Sequence, residues 1–384
     1  MNRSILLGVS AAVLASAAAS AAPVTGLSLG ANRDLVQEKL VVASLPQVTD
    51  PTFKVGASPY SGVGGLIINT DSGDAAGFVS LCTASFIGAR TLITAAHCLD
   101  DADVNRIRFR TGASNGLGGR PFSQEYEAAS YWIHPDFVSV GGQDIAFIRL
   151  GYDQAARGGE EIYGVYGNTD EKDHIHTKVG FGTTGEGTAG TRGITPTGED
   201  FFKRAGNNIY DSIGDEFFSD VGPDVLLFDF DSGLAINDVF GEADRRFCGG
   251  LELCWRHNTG VDRESNSSPG DSGGPTFIDG LIAGITSFGI TGAIIDSPAT
   301  CGPAGGGIDP DGNLPGPNTG GRCTNSSFGE ISGDTRVSFY LDFVRLALAN
   351  RLNFRELETP EPGMIGLFGL GLAGALVARR RRKA

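Results

Sequence analysis

The sequence predicts an all-β protein, an antiparallel barrel or sandwich. Two observations predict it: short apolar runs separated by turn residues, and 58 glycines in 384 residues, roughly double the usual share. No Gly-X-Y period runs through the chain, which excludes collagen. Hydrophobic residues make up 40% and charged residues 20%, which excludes a disordered chain.

From Gly64 the runs read GGLIIN, FVSLCTASFIG, TLITAAHC, RIRFRTG and DIAFIRL, then HTKVGFGTT, VLLFDF, GPTFIDG and GLIAGITSFG. Arg106 to Arg110 alternate strictly, as in a half-exposed strand. Two stretches, roughly 184–224 and 290–332, lack strand signals and read as loops. Val337, Leu341, Val344, Leu348 and Leu352 recur at spacings of three and four, which predicts an amphipathic helix over 337–354. No internal repeat is evident.

The two ends differ from the body. Residues 1–22 place Arg3, an apolar run and the small-residue site Ala19-Ser20-Ala21 in the order of a secretory signal peptide. Residues 23–62 read as a pro-segment or loose arm, and 63–354 as the folded body. Residues 355–384 are a linker, Pro360-Glu361-Pro362, a short apolar segment and a terminal arginine cluster. That segment is slightly short for a comfortable membrane span, and the arginines hold its end on the cytoplasmic face. The body is therefore expected outside the cytoplasm, where six cysteines, Cys82, Cys98, Cys248, Cys254, Cys301 and Cys323, read as three disulfides. The formal charge is −15, with five of the positives gathered at Arg379 to Lys383. So acidic a body repels phosphate backbones, so nucleic acid is not an expected partner.

Three segments carry chemistry: Thr94-Ala95-Ala96-His97-Cys98, Asp144-Ile145-Ala146-Phe147, and Gly270-Asp271-Ser272-Gly273-Gly274-Pro275. Serine is a poor nucleophile until a base takes its proton. An imidazole titrates near neutrality, so a histidine, here His97, suits that role. Asp144 can fix its tautomer and stabilise the imidazolium. The glycines beside Ser272 allow a tight turn that aims the amides of Gly270 and Ser272 at one oxyanion. Such a mechanism needs no cofactor, and no metal site is assigned. His174 and His176 alternate without a supporting carboxylate or thiol, and Asp309-Pro310-Asp311 reads as a solvated acidic turn.

In their order, these segments resemble the trypsin/chymotrypsin family of serine proteases. Gly180-Phe181-Gly182-Thr183, Gly284 to Gly289 and Asp334-Thr335-Arg336-Val337 extend the resemblance over roughly 63–354. It implies two antiparallel Greek-key β-barrels with a C-terminal amphipathic helix, a disulfide between Cys82 and Cys98, and substrate pairing along Ser287, Phe288 and Gly289. It also implies that Asn266, six residues before Ser272, floors the primary specificity pocket, where trypsin-like members carry Asp. Proximity in sequence suggests pairing Cys248 with Cys254 and Cys301 with Cys323. Ser268 stands where the family has a cysteine. No Arg-Ile-Val-Gly-Gly occurs, and cleavage after Lys54 to free Val55 is the expected activation. The tail resembles the PEP-CTERM sorting signal, which implies an exosortase-type partner, transient anchoring in the inner membrane and delivery to the envelope or exterior of a Gram-negative bacterium. The resulting expectation is a monomeric, exported serine endopeptidase acting on protein or peptide substrates. The rival is an inactive surface or matrix binding protein on the same scaffold.

Overall fold

The computed structural model describes residues 41–42, 53–70, 80–100, 104–117, 120–153, 158–187, 190–191, 202–231, 240, 263–290, 326 and 328–357. The leader, most of the N-terminal arm, Cys248, Cys254, Cys301, Cys323, the acidic turn at Asp309 and the sorting tail lie outside the described residues.

Six strands form a first sheet: β1 Val63–Asn69, β2 Ser80–Gly88, β3 Thr91–Thr94, β4 Arg106–Thr111, β5 Gln124–Ile133 and β6 Ala146–Leu150. They run antiparallel in the order β5-β4-β1-β2-β3-β6, and β6 pairs back onto β5 to close a barrel. Closure depends on a register shift in β5 between Ala128 and Ser130. The bulged strand bends there, facing β4 through Gln124 to Glu127 and β6 through Ala128 to Ile133. Alternate residues fill the interior, with the Phe86 ring edge-on to Phe109 at 5.2 Å and to Tyr126 at 5.5 Å.

The second sheet holds β7 Ile175–Gly180, β8 Arg204–Ile209, β9 Val225–Asp229, β10 Pro275–Ile278, β11 Leu281–Ile290 and β12 Ile331–Arg336, in the order β8-β7-β10-β11-β12-β9. Beyond β9 the sheet takes one more short strand, Ser212–Ile213. Only Tyr210 and Asp211 separate that strand from β8, so the two edges of the sheet are nearly consecutive pieces of chain. The sheet is thereby curled into a half-barrel. Single bonds hold its seam, from Asn208 Nδ2 to the Asp229 carbonyl at 2.8 Å and from Asp211 N to Leu227 O at 2.9 Å. The all-β expectation is borne out, with one barrel closed by strand pairing and the other sheet curled. Both follow the same cyclic strand order, a repeat of topology that the sequence does not display.

β8 falls inside a stretch that carries no strand signal. Its sequence, RAGNNI, is polar because its side chains bind rather than merely fill: Asn208 also donates to Ser265 O at 3.1 Å. The C-terminal helix is shorter than its apolar spacing predicts. A 3₁₀ turn at Val337–Tyr340 leads into α1, Leu341–Leu348. Asn350 then takes φ 54°, while Asn350 N bonds Ala347 O at 3.0 Å and Arg351 N bonds Leu346 O at 2.8 Å. This left-handed cap satisfies the last carbonyls and stops the helix. Leu348, on the predicted apolar face, is consequently 46% exposed. The chain then returns to the first barrel, where Arg355–Glu356 pairs with Tyr131 and Ser130 of β5.

Candidate active site

β3 ends at Thr94 and runs into a 3₁₀ turn, Ala96–Cys98, that carries His97. Cys98 bonds Cys82 of β2, the pairing that the resemblance implies. Asp144 lies just before β6 and is fully buried. One carboxylate oxygen accepts the His97 main-chain amide at 2.8 Å, and the other meets His97 Nδ1 at 2.7 Å. A buried carboxylate held twice by one residue fixes both the imidazole ring and the tautomer with its proton on Nδ1.

Two further donors reach Asp144, and neither contact is legible in the sequence. Ser287 Oγ donates to the same oxygen that faces His97, and Thr335 Oγ1 donates to the Asp144 carbonyl at 2.9 Å. Ser287 sits in a register shift between Thr286 and Phe288 on β11, and such a bulge re-aims a side chain. On the side of β11 away from β12, the pairing with β10 ends at Ile285, so Ser287, Phe288 and Gly289 have no strand neighbour there among the described residues.

Ser272 is carried by a turn packed between the two sheets. Its carbonyl accepts from Thr83 N at 2.8 Å, and Gly273 N donates to Thr286 O at 2.8 Å. Gly273 has φ 78°, and a Cβ there would stand 2.0 Å from Thr94 Oγ1 and 3.0 Å from Ala95 N. Only glycine lets the Ser272 turn approach the segment leading to His97 so closely. Asp271 is buried, and its Oδ1 accepts from Gly182 N at 3.0 Å. Neither Gly270 N nor Ser272 N has an acceptor among the described residues. Ser272 Oγ is buried without a hydrogen-bond partner, so the bond to His97 that a working triad makes is not formed in this state. His97 Nε2 instead lies 4.0 Å from Cys98 Sγ. Cys82, His97 and Cys98 cluster within 4.8 Å, but both sulfurs are spent in the disulfide and offer no thiolate.

Asn266 is 2% exposed and lies in the short strand Ser265–Asn266, beside Val41–Val42 of the N-terminal arm. Asp334, on β12, is fully buried. Its Oδ1 accepts from Lys178 Nζ at 2.8 Å and its Oδ2 from Tyr210 OH at 2.8 Å, so both oxygens are engaged. His174 and His176 have different surroundings. His176 stacks on Tyr210 at 4.0 Å with neither ring nitrogen bonded, while His174 Nδ1 lies 3.3 Å from Lys172 O. His134 is structural. Its ring packs 4.6 Å from Phe343 and 5.4 Å from Tyr340, and burial lowers its pKa.

Residues 59–198 match the trypsin family, a span that includes His97 and Asp144 and stops before Ser272. Residues 358–382 match the PEP-CTERM protein-sorting motif. Among solved structures, the chain is similar to the scabies mite inactivated protease paralogue S-D1, at 14% identity and TM-score 0.48 over 79% of this chain and 99% of that one. It is also similar to HL collagenase, at 15% identity and TM-score 0.47 over 78% of this chain and 97% of that one. The chain thus carries a match to the trypsin family over residues 59–198, followed by a match to the PEP-CTERM protein-sorting motif over residues 358–382.

Proposed function

We propose that the protein is an exported serine endopeptidase. The observation that carries this reading is the fully buried Asp144, bound to both the amide and Nδ1 of His97, with the Ser272 turn packed against the same segment. In the reaction, Ser272 Oγ attacks the peptide carbonyl carbon as its proton passes to His97 Nε2. Asp144 stabilises the resulting imidazolium. The unoccupied amides of Gly270 and Ser272 receive the oxyanion. His97 then gives its proton to the leaving nitrogen as the C–N bond breaks, and a water activated by the same imidazole hydrolyses the acyl ester. The substrate backbone adds as a strand along Ser287 to Gly289. Asn266 contributes to the pocket for the side chain before the cut bond.

The sorting motif supports export through the inner membrane, transient anchoring there, and release or transfer by an exosortase-type enzyme at the envelope of a Gram-negative bacterium. The protein acts as a monomer on protein or peptide substrates. One observation favours a second reading, a binding protein without activity: Ser272 Oγ makes no bond to His97. Labelling with a fluorophosphonate probe separates the two. Wild-type protein is expected to label and Ser272→Ala to remain folded and unlabelled. Wild-type protein that never labels would leave the binding reading standing.

A further inference from the structure

The chain just before Ser272 holds polar atoms that lack partners. Asn266 Oδ1 accepts from Ser267 N at 2.8 Å and from Ser332 Oγ at 2.5 Å. A main-chain N–H can only donate, so the side-chain atom facing Ser267 N must be the oxygen. That orientation is therefore forced, and it turns Asn266 Nδ2 away with no acceptor among the described residues. Ser267 and Ser268 follow, both buried, and neither hydroxyl has a hydrogen-bond partner. Three consecutive residues thus present unmet polar groups within six positions of Ser272, which is itself unpartnered. Buried polar groups are costly unless something binds them, and a cluster of them beside one hydroxyl points to a ligand.

Asn266 itself carries no charge, and the buried carboxylate of Asp334 is already balanced. Asp334 is matched by Lys178, whose Nζ also donates to Thr286 Oγ1 at 2.8 Å and lies 4.8 Å above the Phe228 ring. Ser287 Oγ is committed to Asp144. Both oxygens of Asp334 are thus engaged, by Lys178 and by Tyr210 OH, and Lys178 is committed in turn, so this ion pair offers no free charge to a basic or an acidic side chain. The unmet groups are an amide N–H donor and two hydroxyls, which both donate and accept.

On the reading that Ser272 is the nucleophile, we propose that the protein selects substrates with a neutral amide side chain, glutamine or asparagine, before the cut bond. The side-chain carbonyl accepts from Asn266 Nδ2, and its NH₂ donates to the seryl oxygens. Burying Arg or Lys against this wall leaves a charge unpaired, and burying Ala or Leu leaves the donors unmet. Sites built to bond a polar group discriminate strongly against both.

The test uses the full chain with fluorogenic peptides that differ only at that position: Gln, Asn, Glu, Arg, Lys, Leu and Ala. We expect kcat/KM for Gln or Asn to exceed that for Arg by at least about 100-fold. Asn266→Asp, which places a carboxylate at the same spot, is expected to raise Arg or Lys turnover at least about tenfold while Gln turnover falls. A wild-type preference for Arg, Lys, Glu or Leu overturns the inference without need of the variant. Fluorophosphonate labelling in the same samples separates the two possible failures. Label with the wrong preference refutes the selectivity alone, whereas no label refutes the hydrolase reading and the selectivity with it.

Discussion

Gln143 has φ 55° immediately before Asp144, a left-handed conformation that a non-glycine residue keeps only when its surroundings hold it. Its amide is held by Asp224 Oδ2 at 2.8 Å and by Tyr340 OH at 3.1 Å, and that hydroxyl in turn donates to Asp224. Burial first, and then the bond to Asp224, raises the Tyr340 pKa and keeps the phenol protonated as a donor. Two distant chain segments therefore fix the turn that delivers Asp144 to His97. Tyr340→Phe should lower stability by about 1–2 kcal/mol, measured by denaturant midpoint, and slow fluorophosphonate labelling of Ser272 several-fold. A lowered midpoint with unchanged labelling would confine Tyr340 to stability. Nothing in the sequence exposes this clamp, because its partners lie 81 and 197 positions from Gln143. His97, Asp144 and Ser272 are legible for the opposite reason: each sits in a local motif whose neighbours do part of its work. Gly273 for the close approach and Cys98 for the disulfide are the clearest cases.

Among the elements, strands with alternating or continuous apolar residues are legible, and those built on polar contacts are not. β1 to β4, β6, β7 and β9 to β11 coincide with the apolar runs. β8 is missed because Asn208 serves the seam of the curled sheet instead of its apolar interior. Residues 53–60 of the N-terminal arm, which likewise carry no strand signal, bind the second sheet in the uncut chain. Phe53 is 1% exposed and its carbonyl accepts from Ala205 N at 2.9 Å, while Val55 N donates to Lys203 O at 3.0 Å. Lys203 Nζ returns to Tyr60 O at 2.7 Å, and burial pulls that lysine's pKa down to about 8. Cleavage after Lys54 would have to unpair this strap, and Val55 is bonded to Lys203 whereas Asp271 is bonded to Gly182. Phe53→Ala should cost about 3–5 kcal/mol, as large-to-small changes of buried aromatics do, which a thermal or denaturant melt would register. A loss below about 1 kcal/mol would mean that the arm is a loose tether after all.

At the scale of the whole molecule, the first barrel has an apolar interior and the second sheet encloses a charged one. Lys178, Asp334 and His176 are all fully buried there. Lys178 and Asp334 satisfy each other with Tyr210 and Thr286. His176 has only ring contacts, 4.0 Å from Tyr210 and 5.0 Å from Phe228, with both nitrogens unbonded. Burial first, and then the charge of Lys178, depresses its pKa well below the usual value. The folded protein keeps this ring neutral where the unfolded chain takes up a proton at about pH 6.5. Its contribution to stability is therefore full above about pH 6.5 and is lost as pH falls, at up to about 1.4 kcal/mol per unit. His176→Phe keeps a ring against Tyr210, removes the two unmet nitrogens and removes this proton uptake. Denaturant melts at several pH values between 7 and 5 should find the wild type losing stability more steeply than the variant. His134, whose pKa burial also lowers, is present in both proteins and cancels from the comparison. Parallel losses in the two proteins would assign the acid sensitivity of the fold to groups other than His176.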